Sequence, residues 1–232
     1  MTAELLGTLL SGDPHTPRLV VYTGGGRTEL STASLANWSS KVAGLLIDEL
    51  GVAAGDPVVI RLGAGWQTVP ILLGSWWAGA VVTDLDDPAA AVAFVSDGGD
   101  AGADEVFVVS GHPLGAPSAQ VQTHQRDFTT AVLGQADRFG APVTLDSTDP
   151  AVRTADTELS VADLLGTARA AADRFGPGAR VLSEAGWTLP DPLLPLVLGC
   201  LAADGSLVQL VGDDAPTPDH VWATEKCTVR WS

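Results

Sequence analysis

Apolar residues at Leu35, Trp38, Val42, Leu45 and Leu46 recur at three- and four-residue steps, the spacing that lines one face of a helix. Ser31 or Thr32 is placed to cap it, since a hydroxyl there can satisfy an orphan N–H of the first turn. GVAAGDPVVIRL then gives a glycine-rich stop and a continuous apolar strand, Val58–Leu62. Ala64-Gly65-Trp66 follows, and Val69, Leu72, Leu73 and Trp76 mark a second helix. AGAVVTDL reads as a closing strand.

The same order returns later. Val161, Leu164, Leu165, Ala168 and Phe175 predict a helix, and GPGARVLS a stop with a strand at Val181–Ser183. Ala185-Gly186-Trp187 precedes a helix over Leu193–Leu201, and DGSLVQLVG supplies a last strand. Two words repeat with the elements: TELSTASL from Thr28 against TELSVADL from Thr157, and AGW in both halves. Their offset falls from 129 residues (Thr28 to Thr157) to 121 (Ala64 to Ala185), which places an insertion of eight in the first helix and its exit turn. The halves read as copies, each helix–strand–helix–strand, the pattern of parallel α/β units with right-handed crossovers.

The expected fold is therefore α/β, with two pseudo-repeated subdomains whose mainly parallel sheets are flanked by helices. Residues 1–150 form the first (copy 28–87 plus a less regular segment 88–150), and 151–232 the second. In the irregular segment Glu105–Ser110 is a strand candidate, His112–Pro117 (HPLGAP) a turn, and Asp127–Phe139 a helix candidate. GAPVTLDSTDP leads into the second copy as a loop or short strand. The N-terminal MTAELLGTLLSGDP reads as a short helix with Leu5, Leu6, Leu9 and Leu10 on one face; with Glu4 and no basic n-region it is not a secretion signal.

Composition narrows the function classes. The 232 residues carry 28 acidic and 12 basic side chains, a net charge of −16, and the basic residues are scattered singly. A nucleic-acid or anionic-membrane surface needs a basic face, so neither is expected as a partner. No window approaches a membrane span. Cys200 and Cys227 have no CxxC spacing and read as reduced, structural thiols, which with the rest points to a cytoplasmic protein.

GRTELSTASLANWSSKVAGLLIDELGVAAGDPVVIRLGAGWQTVPILLGSWWAGAVVTDLD resembles the opening of the adenylate-forming enzymes: acyl-CoA synthetases, peptide-synthetase adenylation domains and luciferases. Gly51, Gly55, Asp56, Val58 and the run Ala78-Gly79-Ala80-Val81 fit that template. The second copy is similar to the stretch that follows in those enzymes, which also have two similar N-terminal subdomains. HPLGAP and the W-T-x-P-D phrase at Trp187–Asp191 further resemble a group of short actinobacterial proteins of unknown function.

The resemblance implies a fold more than a chemistry. Adenylation would require a glycine-rich loop ending in Pro-Lys before the second helix, a Tyr-Gly-x-Thr-Glu segment for adenine and magnesium, and a catalytic lysine. The first place reads DSTDPAVRTADTELS, without glycine or lysine; the chain ends at TVRWS before the others could occur; and Lys41 and Lys226 match no family lysine. Without such groups nothing neutralises the charge on a transferring nucleotide. The reading is a degenerate relative acting as a non-catalytic ligand-binding or interaction module, without catalytic residues, cofactor or metal. The alternative is one part of a split acyl-CoA synthetase-type ligase, completed by a partner chain. An acyl or CoA-like small molecule, a second copy, or another protein are the expected partners.

Candidate site residues follow from strand exits, where ligands gather in open α/β sheets. His112 follows a strand end, although a plain turn histidine is the favoured reading of it. Trp66 and Trp187 follow strand ends at the repeated AGW. By the resemblance, Trp187 to Asp191 borders the acyl pocket. His112, Trp66, Trp187 and Asp191 are the pocket candidates, with simple packing as the rival reading for both tryptophans. Gly24–Gly26 reads as a hairpin turn rather than a phosphate loop, since no Lys-Ser/Thr follows. Asp84, Asp86, Asp87, Asp213 and Asp214 lack calcium-loop spacing and read as solvated strand exits. His112 and His124 have no third zinc ligand in register, and no G-x-S-x-G elbow occurs.

Overall fold

The structure, a computed structural model, describes residues 6, 7, 9, 10, 12–137, 140 and 142–231. A hairpin of β1 (Pro17–Thr23) and β2 (Gly26–Ser31) leads into α1 (Thr32–Gly44), which continues through a π-helical turn at Leu45–Glu49. Then come β3 (Pro57–Arg61), α2 (Thr68–Trp77), β4 (Val81–Thr83), β5 (Val92–Ser96), β6 (Glu105–Val109), β7 (Gln125–Asp127) and α3 (Phe128–Leu133). A second hairpin, β8 (Pro150–Arg153) and β9 (Glu158–Ser160), leads into α4 (Val161–Phe175), β10 (Arg180–Ser183), α5 (Leu193–Ala202), β11 (Ser206–Leu210), α6 (Pro218–Glu225) and β12 (Val229–Arg230).

These strands form two sheets, ordered β7-β6-β5-β3-β4-β8-β9 and β12-β10-β11-β1-β2. All pairs are parallel except within the two hairpins. The fold is thus α/β with mainly parallel sheets flanked by helices. Parallel strands covered on both faces need unbroken apolar runs, and β3 (VVI) and β5 (VAFV) supply them, all buried.

Each hairpin lies in the sheet that its own helix does not follow. β1 pairs with β11, so the N-terminal hairpin extends the sheet of the C-terminal strands; β8 pairs with β4 and extends the other. Both hairpins break register at the corresponding place, between Pro17 and Leu19 and between Pro150 and Val152. Each then ends in a serine cap. Ser31 accepts from Ser34 N at 3.2 Å, and Ser160 accepts from Asp163 N at 3.2 Å while the Asp163 carboxylate reaches back to Ser160 N at 2.9 Å. The second cap is a full capping box.

The two helix pairs meet at glycines. A Cβ on Gly74 of α2 would stand 2.5 Å from Val42 Cβ, and one on Gly199 of α5 would stand 2.4 Å from Ala171 Cβ. Those closest approaches hold α1 on α2 and α4 on α5, and one continuous apolar core runs from Leu35 and Trp76 through to Phe175 and Leu198.

The N-terminal hairpin is also clamped by a buried charge. Glu225 of α6, whose side chain is only 7% exposed, accepts from Tyr22 Oη at 2.6 Å, Arg27 Nε at 2.7 Å and Arg180. Burial alone would raise this carboxyl; the donors from Arg27, Tyr22 and Arg180 outweigh it and hold the pKa down at about 2. The C-terminal hairpin is tied at the surface instead, by Arg153 to Glu158 at 3.0 Å and to Asp87 at 3.7 Å.

Several expectations shift. The helix at Asp127 is shorter than the pattern suggests: Asp127 caps it through Thr130 N and it ends at Gly134; residues 138 and 139 lie outside the described set. Leu6 and Leu9 are buried and Leu10 N bonds Leu6 O at 2.8 Å, while Leu5 lies outside the described residues. The strands Val92–Ser96, Pro150–Arg153 and Val229–Arg230 and the helix Pro218–Glu225 had no counterpart in the pattern reading.

Candidate functional site

Two cavities flank the carboxyl end of β3. The chain there turns through Leu62, Gly63, Ala64 and Gly65 into α2, with Thr68 Oγ1 donating to Gly63 O at 2.9 Å to fix the turn. A cavity opens on each side of this turn, and Leu62 and Gly63 line both.

The first cavity, about 240 Å3, lies between the loop after β3 and the loop after β10: Ile60–Gly63 and Asp84 face Trp187, Thr188, Leu189 and Leu193. Trp187 is buried, and its Nε1 donates to Gln209 Oε1 at 2.9 Å. Gln209 sits fully buried on β11, with Nε2 donating to Ala185 O at 3.0 Å and Leu210 O at 2.9 Å. A buried amide must be satisfied, and this one uses both ends to hold the AGW loop over the strand. Opposite, Arg61 Nε donates to Asp84 O at 2.9 Å and its other arm pairs with Asp86 at 3.0 Å. Asp84 departs from the solvated expectation: its Oδ1 is buried without a hydrogen-bond partner among the described residues.

The second cavity, about 210 Å3, lies over the carboxyl ends of β3, β5 and β6 and is bounded by Gln67, Ser96, Asp97 and Ser110.

The four sequence candidates do not converge on one pocket. Trp187 lines the first cavity. Asp191, on the same loop, is exposed, and its backbone carbonyl accepts from Thr188 Oγ1 at 2.7 Å. His112 is exposed beyond the second cavity, with Nδ1 accepting from Leu114 N at 3.1 Å, a turn-closing contact. Trp66 is buried, packed edge-on against Trp38 with centroids 5.0 Å apart, and touches the His112 turn at Gly115. Its Nε1 has no hydrogen-bond partner among the described residues. Sequence reasoning missed Gln67, Asp97 and Gln209, and read Asp84 as solvated. Gln209 carried a signal, a lone amide inside the apolar strand SLVQL; Asp97 follows the apolar run VAFVS, whose strand went unread.

Cys200 and Cys227 are free and buried, and burial raises both thiols. Among the described residues no three His, Cys, Asp or Glu side chains converge on a metal-sized site, and no helix is long and apolar enough to cross a membrane.

This architecture is that of the acyl-CoA and AMP ligases. Apo MatB from Rhodopseudomonas palustris superposes with a TM-score of 0.78 at 20% identity, over 99% of this chain and 49% of that one. An acyl-CoA synthetase from Brucella canis gives 0.75 at 17%, over 99% and 50%, and a fatty acid AMP ligase from Legionella pneumophila 0.68 at 13%, over 100% and 44%. The chain spans about half the length of these solved structures, and the likeness is one of adenylate-forming fold. No family model matches the chain. A curated protein of Mycobacterium tuberculosis (strain ATCC 25618 / H37Rv), described as a TIGR03089 family protein, is 36% identical over 240 residues, covering 98% of this chain and 96% of that protein. The chain belongs to that family.

Proposed function

We propose that the protein is a non-catalytic ligand-binding module that takes a short acyl or CoA-like molecule in the cavity beside Trp187. The observation that carries this is the apolar wall of Trp187, Leu189 and Leu193 facing Ile60–Gly63. At about 240 Å3 the cavity is slightly smaller than drug-sized pockets of roughly 300–1,000 Å3, which favours a short chain. Two structural neighbours, an acyl-CoA synthetase and a fatty acid AMP ligase, support the ligand class.

The place where a phosphate loop would stand supports the non-catalytic half. Asp149 carboxylate accepts from Asp146 N at 2.7 Å, while Asp149 O and Ser147 O accept from Val161 N and Ala162 N. This turn spends its groups on starting α4 and carries carboxylates where a triphosphate would need N–H donors. The same reading treats the halves as internal copies, with subdomains divided near residue 150, and the protein as cytoplasmic. A second reading, a split ligase completed by a partner chain, draws on the half-length match to the ligases.

Thermal-shift titration with ATP–Mg, AMP, CoA, and short- and medium-chain acyl-CoA separates these. A ligand at 100 times its Kd adds about 2.7 kcal/mol, about 5–10 °C for a chain of this size. A shift with acyl-CoA or CoA alone is expected. A saturable ATP–Mg shift would overturn the non-catalytic reading, and no shift with any of them would remove the acyl ligand. Mass in solution then tests the interaction half, as a dimer or a complex.

A further inference from the structure

The seven-stranded sheet reverses its winding between β3 and β5: the chain leaves β3 for β4 on one side and returns through β5 on the other. Crevices outside the carboxyl ends of strands at such a switch point are the ligand sites of open α/β sheets. The cavity of about 210 Å3 occupies this point.

Its polar wall is built from acceptors. Gln67 is only 4% exposed, and its Nε2 donates to Ser110 O at 2.9 Å. A carbonyl accepts only from the NH2 end, so the amide is fixed in one sense. Its Oε1 is left beside Gly65, 4.0 Å from where a Cβ there would stand, with no hydrogen bond among the described residues. The side chain is otherwise buried, but this oxygen is not among the side-chain atoms sealed from solvent, so it can accept from a group that enters the cavity. Across the cavity Asp97 accepts from Gly111 N at 3.3 Å and from Ser118 Oγ, and a carboxylate has further lone pairs to offer. Ser96 and Ser110 add hydroxyls.

An anion fits poorly here. Asp97 would repel it, and Pro70 removes a backbone N–H from the first turn of α2. A group with several donors and a positive charge fits all of these features, and the net charge of −16 would draw it in. We propose that the switch-point cavity binds small primary amines, the ammonium shared by Gln67 Oε1 and the Asp97 carboxylate, with a short body against Leu62 and Val109. This stands apart from the acyl reading, whose cavity lies on the other side of Leu62 and Gly63.

The test is amide chemical-shift mapping of the full chain with n-butylammonium, n-butanol and butyrate. Saturable shifts confined to the Gly63–Gly65 and Gly111 amides are expected with butylammonium alone. Asp97→Asn should weaken binding at least tenfold. Because that change also disturbs the Gly111 and Ser118 contacts, Gly65→Val is the second variant: a Cβ there meets only Thr68 and Gln67, at ordinary contact distance, so the added side chain should narrow the cavity with the fold retained. It should abolish the shifts while the remaining spectrum stays in place. Equal shifts with butyrate or butanol, full binding by Gly65→Val, or butylammonium shifts scattered over the acidic surface would each overturn the proposal.

Discussion

After β3 the chain passes through Ala64-Gly65-Trp66 and is helical by Thr68; after β10 it passes through Ala185-Gly186-Trp187 and runs on through Thr188–Pro192 before α5 begins at Leu193. The shorter route leaves Trp66 inside, against Trp38, with no partner for its N–H among the described residues. The longer one sets Trp187 at the first cavity, where Gln209 holds its N–H. The same three residues after two different strands therefore sit in different surroundings: one ring packs on another tryptophan, the other is hydrogen-bonded beside a cavity.

What the two units do share is tested most severely at the helix pairs. Gly74→Leu and Gly199→Leu each drive a side chain into backbone and side-chain atoms that a Cβ would already meet at 2.5 and 2.4 Å. Overpacking typically costs about 1–3 kcal/mol, and at such distances each variant should lose about 3 kcal/mol or more. Urea midpoints at constant m value measure it. If one variant loses less than about 1 kcal/mol, that helix pair is looser than its counterpart and the two units are not packed alike.

Those helices were readable from the sequence because their partners impose a strict period: Leu35, Trp38 and Val42 on α1, Leu164, Leu165 and Ala168 on α4. The parallel strands Val58–Leu62 and Val181–Ser183 were readable for the same reason, as apolar runs behind glycine stops. The exchange of hairpins was not. β2 and β9 are short, half-exposed strands, and nothing in TELS says which sheet will receive their hairpins; that is decided by the long-range pairing of β1 with β11 and of β8 with β4. Of the four pocket candidates only Trp187 lines either of the two cavities described above. Gln67 and Asp97 lie in loops, where local pattern says nothing about which residues the topology brings together.

The hairpins differ in what holds them, and acid should separate them. Glu225 grips the N-terminal hairpin with a carboxyl lowered from an ordinary 4.5 to about 2. A carboxyl that is more acidic in the folded state contributes fully above pH 4.5, and that contribution disappears as pH falls towards 2. The whole effect is about 3 kcal/mol at most, taking 1.36 kcal/mol for each unit of pKa. The surface pairs of Arg153 on the other hairpin are worth about 0–1 kcal/mol. Glu225→Gln should thus be less stable than wild type at pH 7, and the gap should close between pH 4.5 and 2. A gap that stays constant across that window would show that charge at Glu225 does not hold the hairpin.

The smallest change bears most directly on the two tryptophans. Trp187→Phe removes the donor to Gln209 and leaves a buried amide oxygen without its bond, which costs about 1–3 kcal/mol beyond any loss of packing. Trp66→Phe removes an N–H that has no partner among the described residues, so only packing against Trp38 and Gly115 is lost. The rings are close in burial, each about 4% exposed, so the packing losses should be similar. The difference between the two variants then isolates the hydrogen bond, and Trp187→Phe should be the less stable by about 1 kcal/mol or more. Adding Gln209→Leu to each variant closes the cycle. Coupling is expected with Trp187 and none with Trp66, and equal coupling to both would mean that the two AGW turns are held in the same way after all.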